Sequence, residues 1–200
     1  MENFKLLDIS LSSILKDYSN LIVDKKKYDR WPVKPHLVIQ DDIFDLFSKW
    51  GTPKILIAQL PVNSGGMLHS DRDQINLNNH HHNPAINMLL SGTHIMNWYE
   101  MDIPGEIALM GKTAGTIVIP GVTHSTTLWR NELGRVIDTW TTGDVAAVRT
   151  DVPHKVFNTG NTPRTTLSIR WYEYEISWEE FLDWAINDLT PAIKKIRNLT

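Results

Sequence analysis

Between Lys54 and Trp171 the chain is a succession of short apolar runs, each closed by a turn signal, and this cadence points to an antiparallel jelly roll or barrel. The runs cover residues 55–60, 85–90, 94–100, 116–119, 135–140, 145–148, 155–157 and 165–171. Ser91-Gly92, Pro104-Gly105, Pro120-Gly121, Thr142-Gly143 and Thr159-Gly160-Asn161 separate them. Two hundred residues suit one domain, with a β core over about 53–172 and flanks at 1–52 and 173–200 that carry helices.

The flanks carry their own signals. Ile43, Phe44, Phe47 and Trp50 recur at helical spacing behind Asp41-Asp42, and Gly51 and Pro53 stop the run, so an amphipathic helix should lie on a sheet. Ser177 with Glu179 and Glu180 makes a helix start, and Phe181, Trp184, Ala185 and Leu189 continue it until Pro191 kinks or divides it. Nearer the N-terminus the expectation is a helix around 11–18 and a strand around 36–39.

Within the β region, His69-Ser70-Asp71 is followed at a distance by Pro153-His154, and Arg164 lies ten positions further on. Alternate residues of an extended strand project the same way, so His69 and Asp71 can reach one ion together while His154 arrives from another strand. Two imidazoles and one carboxylate bind one face of a ferrous ion and leave the other face open. The chain has no cysteine, so any metal site uses nitrogen and oxygen ligands; Fe, Mn, Ni, Cu and Zn all accept these. Arg164 opens a strand with two faces. One is Arg164, Thr166, Ser168, Arg170 and the other Thr165, Leu167, Ile169, Trp171. A polar row is ordinarily the solvated side of a sheet. With a metal at His154 it becomes a pocket wall, where a guanidinium matches a partly buried carboxylate and the Thr166 or Ser168 hydroxyl adds a contact.

Three pieces together resemble the 2-oxoglutarate- and Fe(II)-dependent oxygenases, within them the aspartyl/asparaginyl β-hydroxylase-like branch. They are His69-Ser70-Asp71; the strand from Ala85 through Asn87 to Leu90, leading into Asn97-Trp98-Tyr99-Glu100; and Pro153-His154 to Arg164 with Leu167-Ser168-Ile169. The resemblance covers roughly residues 53–172. It implies a mainly β double-stranded β-helix (a jelly roll, cupin-like) with flanking N- and C-terminal helices. Carried over residue by residue, it makes His69, Asp71 and His154 ligands of Fe(II) and Arg164 the holder of the far carboxylate of the co-substrate 2-oxoglutarate. Thr166, Ser168 and Asn87 would be further co-substrate contacts, Asn87 being equally readable as a satisfied core amide. The implied activity is hydroxylation of a second substrate by O2 with decarboxylation of 2-oxoglutarate to succinate. The sequence leaves that substrate open among a protein side chain such as Asp or Asn, a free amino acid and another small metabolite, with selection expected in loops such as 63–83 and 100–113. The chain departs from the pattern before the A-x-N strand, where histidine or asparagine replaces an arginine.

Other readings stand beside this one. His80-His81-His82 invites a metal assignment, but three consecutive histidines point in different directions, which favours a polar loop at a pocket mouth. His124, after Pro120-Gly121, competes as a ligand on a cupin-type reading, which Gly143-Asp144 and the H-x-x-x-N spacing of His154 and Asn158 favour and the lack of a first cupin motif opposes. A jelly-roll binding module without catalysis is the third reading. Trp98 and Tyr99 read as core packing. No G-x-S-x-G or P-loop occurs. A net charge of −3 and pI ≈ 6.2 argue against a general nucleic-acid binder, and Lys25-Lys26-Lys27 reads as a solvated loop. Nothing approaches a membrane span or a secretory leader, so the expectation is a soluble, cytoplasmic protein.

Overall fold

A computed structural model describes residues 2–22, 29–71, 84–102, 105–109, 125–129, 134–173 and 175–198. The expected strand at 116–119, His80, His81, His82 and His124 lie outside them, as do residues 72–83, 103–104 and 110–113 of the two loops named as specificity elements.

The described strands are β1 (Phe4–Leu6), β2 (Asp29–Val33), β3 (Lys54–Leu60), β4 (Leu68–Ser70), β5 (Ala85–Ser91) and β6 (Ile95–Met101), then β7 (Glu106–Leu109), β8 (Ser125–Trp129), β9 (Gly134–Trp140), β10 (Val145–Val148), β11 (His154–Phe157) and β12 (Arg164–Arg170). They form two six-stranded sheets, β1-β10-β5-β12-β3-β2 and β7-β8-β4-β11-β6-β9, with every pairing antiparallel. β3 pairs with β12, β4 with β11, β5 with β10 and β6 with β9. This nesting of first with last is a long hairpin wound up on itself. It is a cupin-like jelly roll, with β7 and β8 added beside β4 and β1 and β2 at the two edges of the first sheet.

Alternation along the strands gives the first sheet two buried faces. Ile55, Ile57, Ile86, Met88, Leu167 and Ile169 turn outward into one apolar cluster with Phe47, Trp50, Trp171, Phe181 and Trp184. Trp50 lies with its ring centroid 4.5 Å from that of Trp184 and 5.8 Å from that of Trp171. Between the sheets a smaller cluster joins Ala85, Met96, Trp98, Trp140, Ala146 and Val148. The covering layer explains why β12 is buried along nearly its whole length although its residues alternate polar and apolar.

The N-terminal flank differs from its expected form. It contributes β1 and β2 as sheet edges, and the expected helix at 11–18 is reduced to a single turn, Leu11–Ile14. The segment expected as a strand near 36–39 is a short 3-10 turn, Pro35–Leu37, with Ile39 bridging Leu15. Pro32 is tolerated in β2 because that strand is an edge. Asp41–Ser48 is a 3-10 helix that buries Ile43 and Phe47. At the C-terminus, Ser177 caps the helix by accepting from the Glu180 amide. Pro191 does not divide that helix. A wider π turn, Trp184–Leu189, precedes it, and the Thr190 hydroxyl donates to the Ala185 carbonyl at 2.7 Å. Among the described residues no helix is long and apolar enough to cross a membrane.

Candidate metal centre

The short strand β4 places His69, and Asp71 follows just past its end, where the Asp71 amide donates to the Thr150 carbonyl at 2.7 Å. β11 opens on His154, whose Cα registers directly with that of His69. Cross-strand register thus unites two histidines far apart in sequence, with ring centroids 4.4 Å apart. The ligand atoms of His69, Asp71 and His154 all lie within 4.8 Å of one another. Asp71 Oδ1 is 3.6 Å from His69 Nε2, near the ~3 Å separating two ligands that sit ~2.1 Å from a common ion at right angles.

Hydrogen bonds set the histidine tautomers. Nδ1 of His69 is 2.8 Å from the Met67 carbonyl and Nδ1 of His154 is 2.9 Å from the Val152 carbonyl. A carbonyl only accepts, so each Nδ1 carries the proton and each Nε2 keeps its lone pair for an ion. Burial pushes His69 down to about 3, helped by the neighbouring His154, and burial likewise lowers His154. Burial opposes the charge on Asp71, but Arg170 and the two histidines outweigh it and hold the carboxyl well below its usual range. Two neutral imidazoles and one carboxylate are the protonation states that a divalent ion requires. The donor set, its convergence and the tautomers all fit such an ion.

The second surface of the site is a cavity of about 70 Å³. It contacts His69 and His154 and runs along one face of β12, where Arg164, Thr166, Ser168 and Arg170 all line it. The polar row is therefore a pocket wall and not a solvated face. Arg164 is 4% exposed. Asn87 also lines the cavity, and its Oδ1, like Thr166 Oγ1, is buried with no hydrogen-bond partner among the described residues. Two unsatisfied groups facing one cavity are binding capacity, because a buried polar atom without a partner is costly.

Ser168 has a structural partner, since Arg170 Nε donates to its hydroxyl at 3.0 Å. Arg170 also pairs with Asp71 Oδ2, leaving Oδ1 toward His69. That contact makes Arg170 the residue that orients the Asp71 carboxylate. Sequence reasoning saw it only as part of the polar row. It missed Arg30 altogether, which reaches the same cavity from β2 in a stretch with no clear strand signal. Asn158 is a fastener: its amide donates to the carbonyls of Pro61 and Thr162, both at 2.9 Å, and its Oδ1 accepts from the Gly160 amide. The H-x-x-x-N spacing therefore reflects the closure of the β11–β12 turn. Trp98 is fully buried core, its indole donating to the Arg149 carbonyl at 2.9 Å, whereas Tyr99 is only partly buried.

No known family profile and no curated protein matches the chain. Among solved structures, it is similar to a cupin 2 domain-containing protein from Halorhodospira halophila, with 11% identity, TM-score 0.36, and coverage of 98% of this chain and 96% of that one. It is also similar to a variant of Bacillus subtilis oxalate decarboxylase, with 16% identity, TM-score 0.37, and coverage of 85% and 36%. A third is the capsular polysaccharide assembling protein CapF of Staphylococcus aureus, with 10% identity, TM-score 0.32, and coverage of 64% and 26%. The chain thus spans about a quarter of the length of CapF.

Proposed function

We propose that this protein is a cupin-type metalloenzyme whose ion is held by His69, Asp71 and His154, and that it is an Fe(II)- and 2-oxoglutarate-dependent hydroxylase. The carrying observation is the convergence of the three ligand atoms beside a cavity walled by Arg164. The resemblance of His69-Ser70-Asp71, His154 and Arg164 to the aspartyl/asparaginyl β-hydroxylase-like oxygenases supports the finer reading.

Ferrous iron, when bound, would supply the oxygen-activating redox chemistry. The chain's own residues bind and orient. His69 and His154 present Nε2 lone pairs fixed by backbone acceptors, and Arg170 aims Asp71. Arg164 would grip the far carboxylate of 2-oxoglutarate, and the Thr166 hydroxyl, which has no partner among the described residues, would donate to the same acid. The apolar lining from Leu56, Ala58, Leu60, Met96 and Val156 keeps water away from the co-substrate chain.

A second reading is a cupin-type enzyme that acts on an anionic substrate directly. Arg30 favours it, because a further guanidinium lining the cavity suits an acidic substrate as well as an acidic co-substrate. Incubation with Fe(II), ascorbate and 2-oxoglutarate, following succinate and oxygen uptake, separates the two. Succinate release that depends on His154 supports the hydroxylase, while metal binding with no turnover of 2-oxoglutarate leaves the second reading.

A further inference from the structure

Asn87 makes a demand that the co-substrate cannot meet. The residue is 8% exposed and lines the same cavity as His69 and His154, and its Oδ1 is enclosed there with no partner among the described residues. A core amide kept for stability would be bonded, since an orphaned buried acceptor carries its full desolvation cost. Whichever way the amide is turned, it carries one oxygen that only a donor can satisfy. 2-Oxoglutarate, with both acid groups ionised and a keto oxygen, has no N–H or O–H to give. Dioxygen has none either.

A cation faces the same space from the other side of the sheet. Arg30 lines the cavity from β2 and registers with Ala58, and Ala58 registers with Thr166, so the three share one row of the inner face. Ala58 is too short to hold the long guanidinium chain away from the cavity. Asn87 registers with Ser168, and Ser168 with Leu56, in the next row. Following the strand order β5-β12-β3-β2, the Cα atoms of Asn87 and Arg30 lie roughly 14 Å apart across the sheet and roughly 7 Å apart along it. Their own side chains take up much of that span, so a ligand that touches both is small. The described lining holds three guanidiniums, Arg30, Arg164 and Arg170, and no carboxylate. Arg170 serves Asp71 and Arg164 serves the co-substrate, which leaves Arg30 as the guanidinium with a role in neither.

We propose that Arg30 and Asn87 form the subsite for the substrate to be hydroxylated, and that this substrate is a small acid with an N–H or O–H donor beside its acid group, an amino acid or a hydroxy acid. This rests on the hydroxylase reading above. Arg30 holds the carboxylate, and Asn87 Oδ1 accepts from the donor. An acid without the donor leaves Asn87 orphaned, and such an unpaired buried group is what gives a polar site its selectivity.

The test uses the full chain loaded with Zn(II) and saturated with 2-oxoglutarate, so that binding is read without turnover. The probes are a mixture of free L-amino acids and a mixture of L-2-hydroxy acids, each with two controls: the carboxamides, which lack the acid, and the methylated betaines or methyl ethers, which keep the acid and lack the donor. One of the two acid mixtures should raise the melting temperature, which decides between the two sources, and its controls should not. The responding acid is then titrated by calorimetry. Asn87→Leu, similar in shape without polar atoms, should weaken it roughly tenfold, keep its affinity for 2-oxoglutarate, and melt no lower than the wild type in chelator, because its oxygen has no bond to lose. Arg30→Met should weaken the acid tenfold or more. The proposal is overturned if neither acid mixture binds, if the methylated acids bind as well as their parents, if Arg30→Met binds the acid like the wild type, or if Asn87→Leu loses 2-oxoglutarate as well. The probe series on the wild type decides the matter even where the leucine is not accommodated. If Zn(II)-loaded wild type binds no 2-oxoglutarate, the hydroxylase reading falls and takes this subsite with it; if it binds 2-oxoglutarate and no acid, only the subsite falls.

Discussion

Replacing Arg170 by Met probes the electrostatics of the centre more cleanly than removing a ligand does. Asp71 and Arg170 form an ion pair whose side chains are only 8% and 16% exposed. Truncating one partner leaves a buried carboxylate uncompensated, at a cost of about 3–5 kcal/mol. For a chain of this size each kcal/mol shifts the melting temperature by roughly 2–4 °C, so the metal-free variant should melt about 6–20 °C below the wild type. Exchanging both partners, as in Asp71→Asn with Arg170→Met, removes the uncompensated charge and should restore most of that loss, although the metal ligand is then gone. Metal affinity itself is a poorer readout for Arg170→Met. Loss of carboxylate orientation lowers it by ~10–100-fold, while loss of a cation beside the ion works in the opposite direction. The assay is calorimetric unfolding of the two single variants, the double variant and the wild type in excess chelator. A melting temperature for Arg170→Met within a degree or two of the wild type, or a double variant no more stable than it, would refute the buried pair as the orienting device.

Other outcomes follow from the same geometry. His154→Ala should stay folded and lose metal and succinate production together, because two remaining ligands cannot fix one face of an ion; His124→Ala should keep its iron, as measured by metal analysis after dialysis. Arg164→Ala should retain iron and bind 2-oxoglutarate more than a hundredfold more weakly by calorimetry, the ~3–5 kcal/mol of a broken buried charge pair. Joint replacement of His80, His81 and His82 by Ala should leave stoichiometric metal, and its loss would transfer ligand roles to that loop. For acid stability, His94 has a folded value of about 3 against 6.5 for the free side chain, so between those pH values the unfolded chain binds the extra proton and stability falls as pH drops. His94→Gln should flatten that acid flank by up to ~1.4 kcal/mol per pH unit in chelator-treated protein, and an unchanged slope would show that the ring titrates normally.

Much of the β core was legible because its information is local. Period-two apolar runs closed by Gly and Pro turns mark β3, β5, β6, β9, β10, β11 and β12 within a residue or two of their observed ends. No apolar run marks β4, whose strand was implied only by the His69 and Asp71 spacing, nor β7 and β8, and β1 and β2 escaped because an edge strand is defined by the partner it docks on. The long 3-10 helix at Asp41–Ser48 and the π turn ahead of Pro191 are outcomes of packing on aromatic neighbours, which helical periodicity does not encode.

The candidate site divides along the same line. The i, i+2 spacing of His69 and Asp71 is a property of the chain itself, and the resemblance to the oxygenases joined His154 and Arg164 to that pair. Only the folded jelly roll could register His69 opposite His154, turn the polar face of β12 inward, tie Arg170 to Asp71, bring Arg30 from the N-terminal edge and press Gly92 onto the start of β12. Each of these depends on which strands become neighbours. Strand pairing is settled by burying both faces of a sheet at once, a condition on the whole molecule that no short stretch of sequence can state.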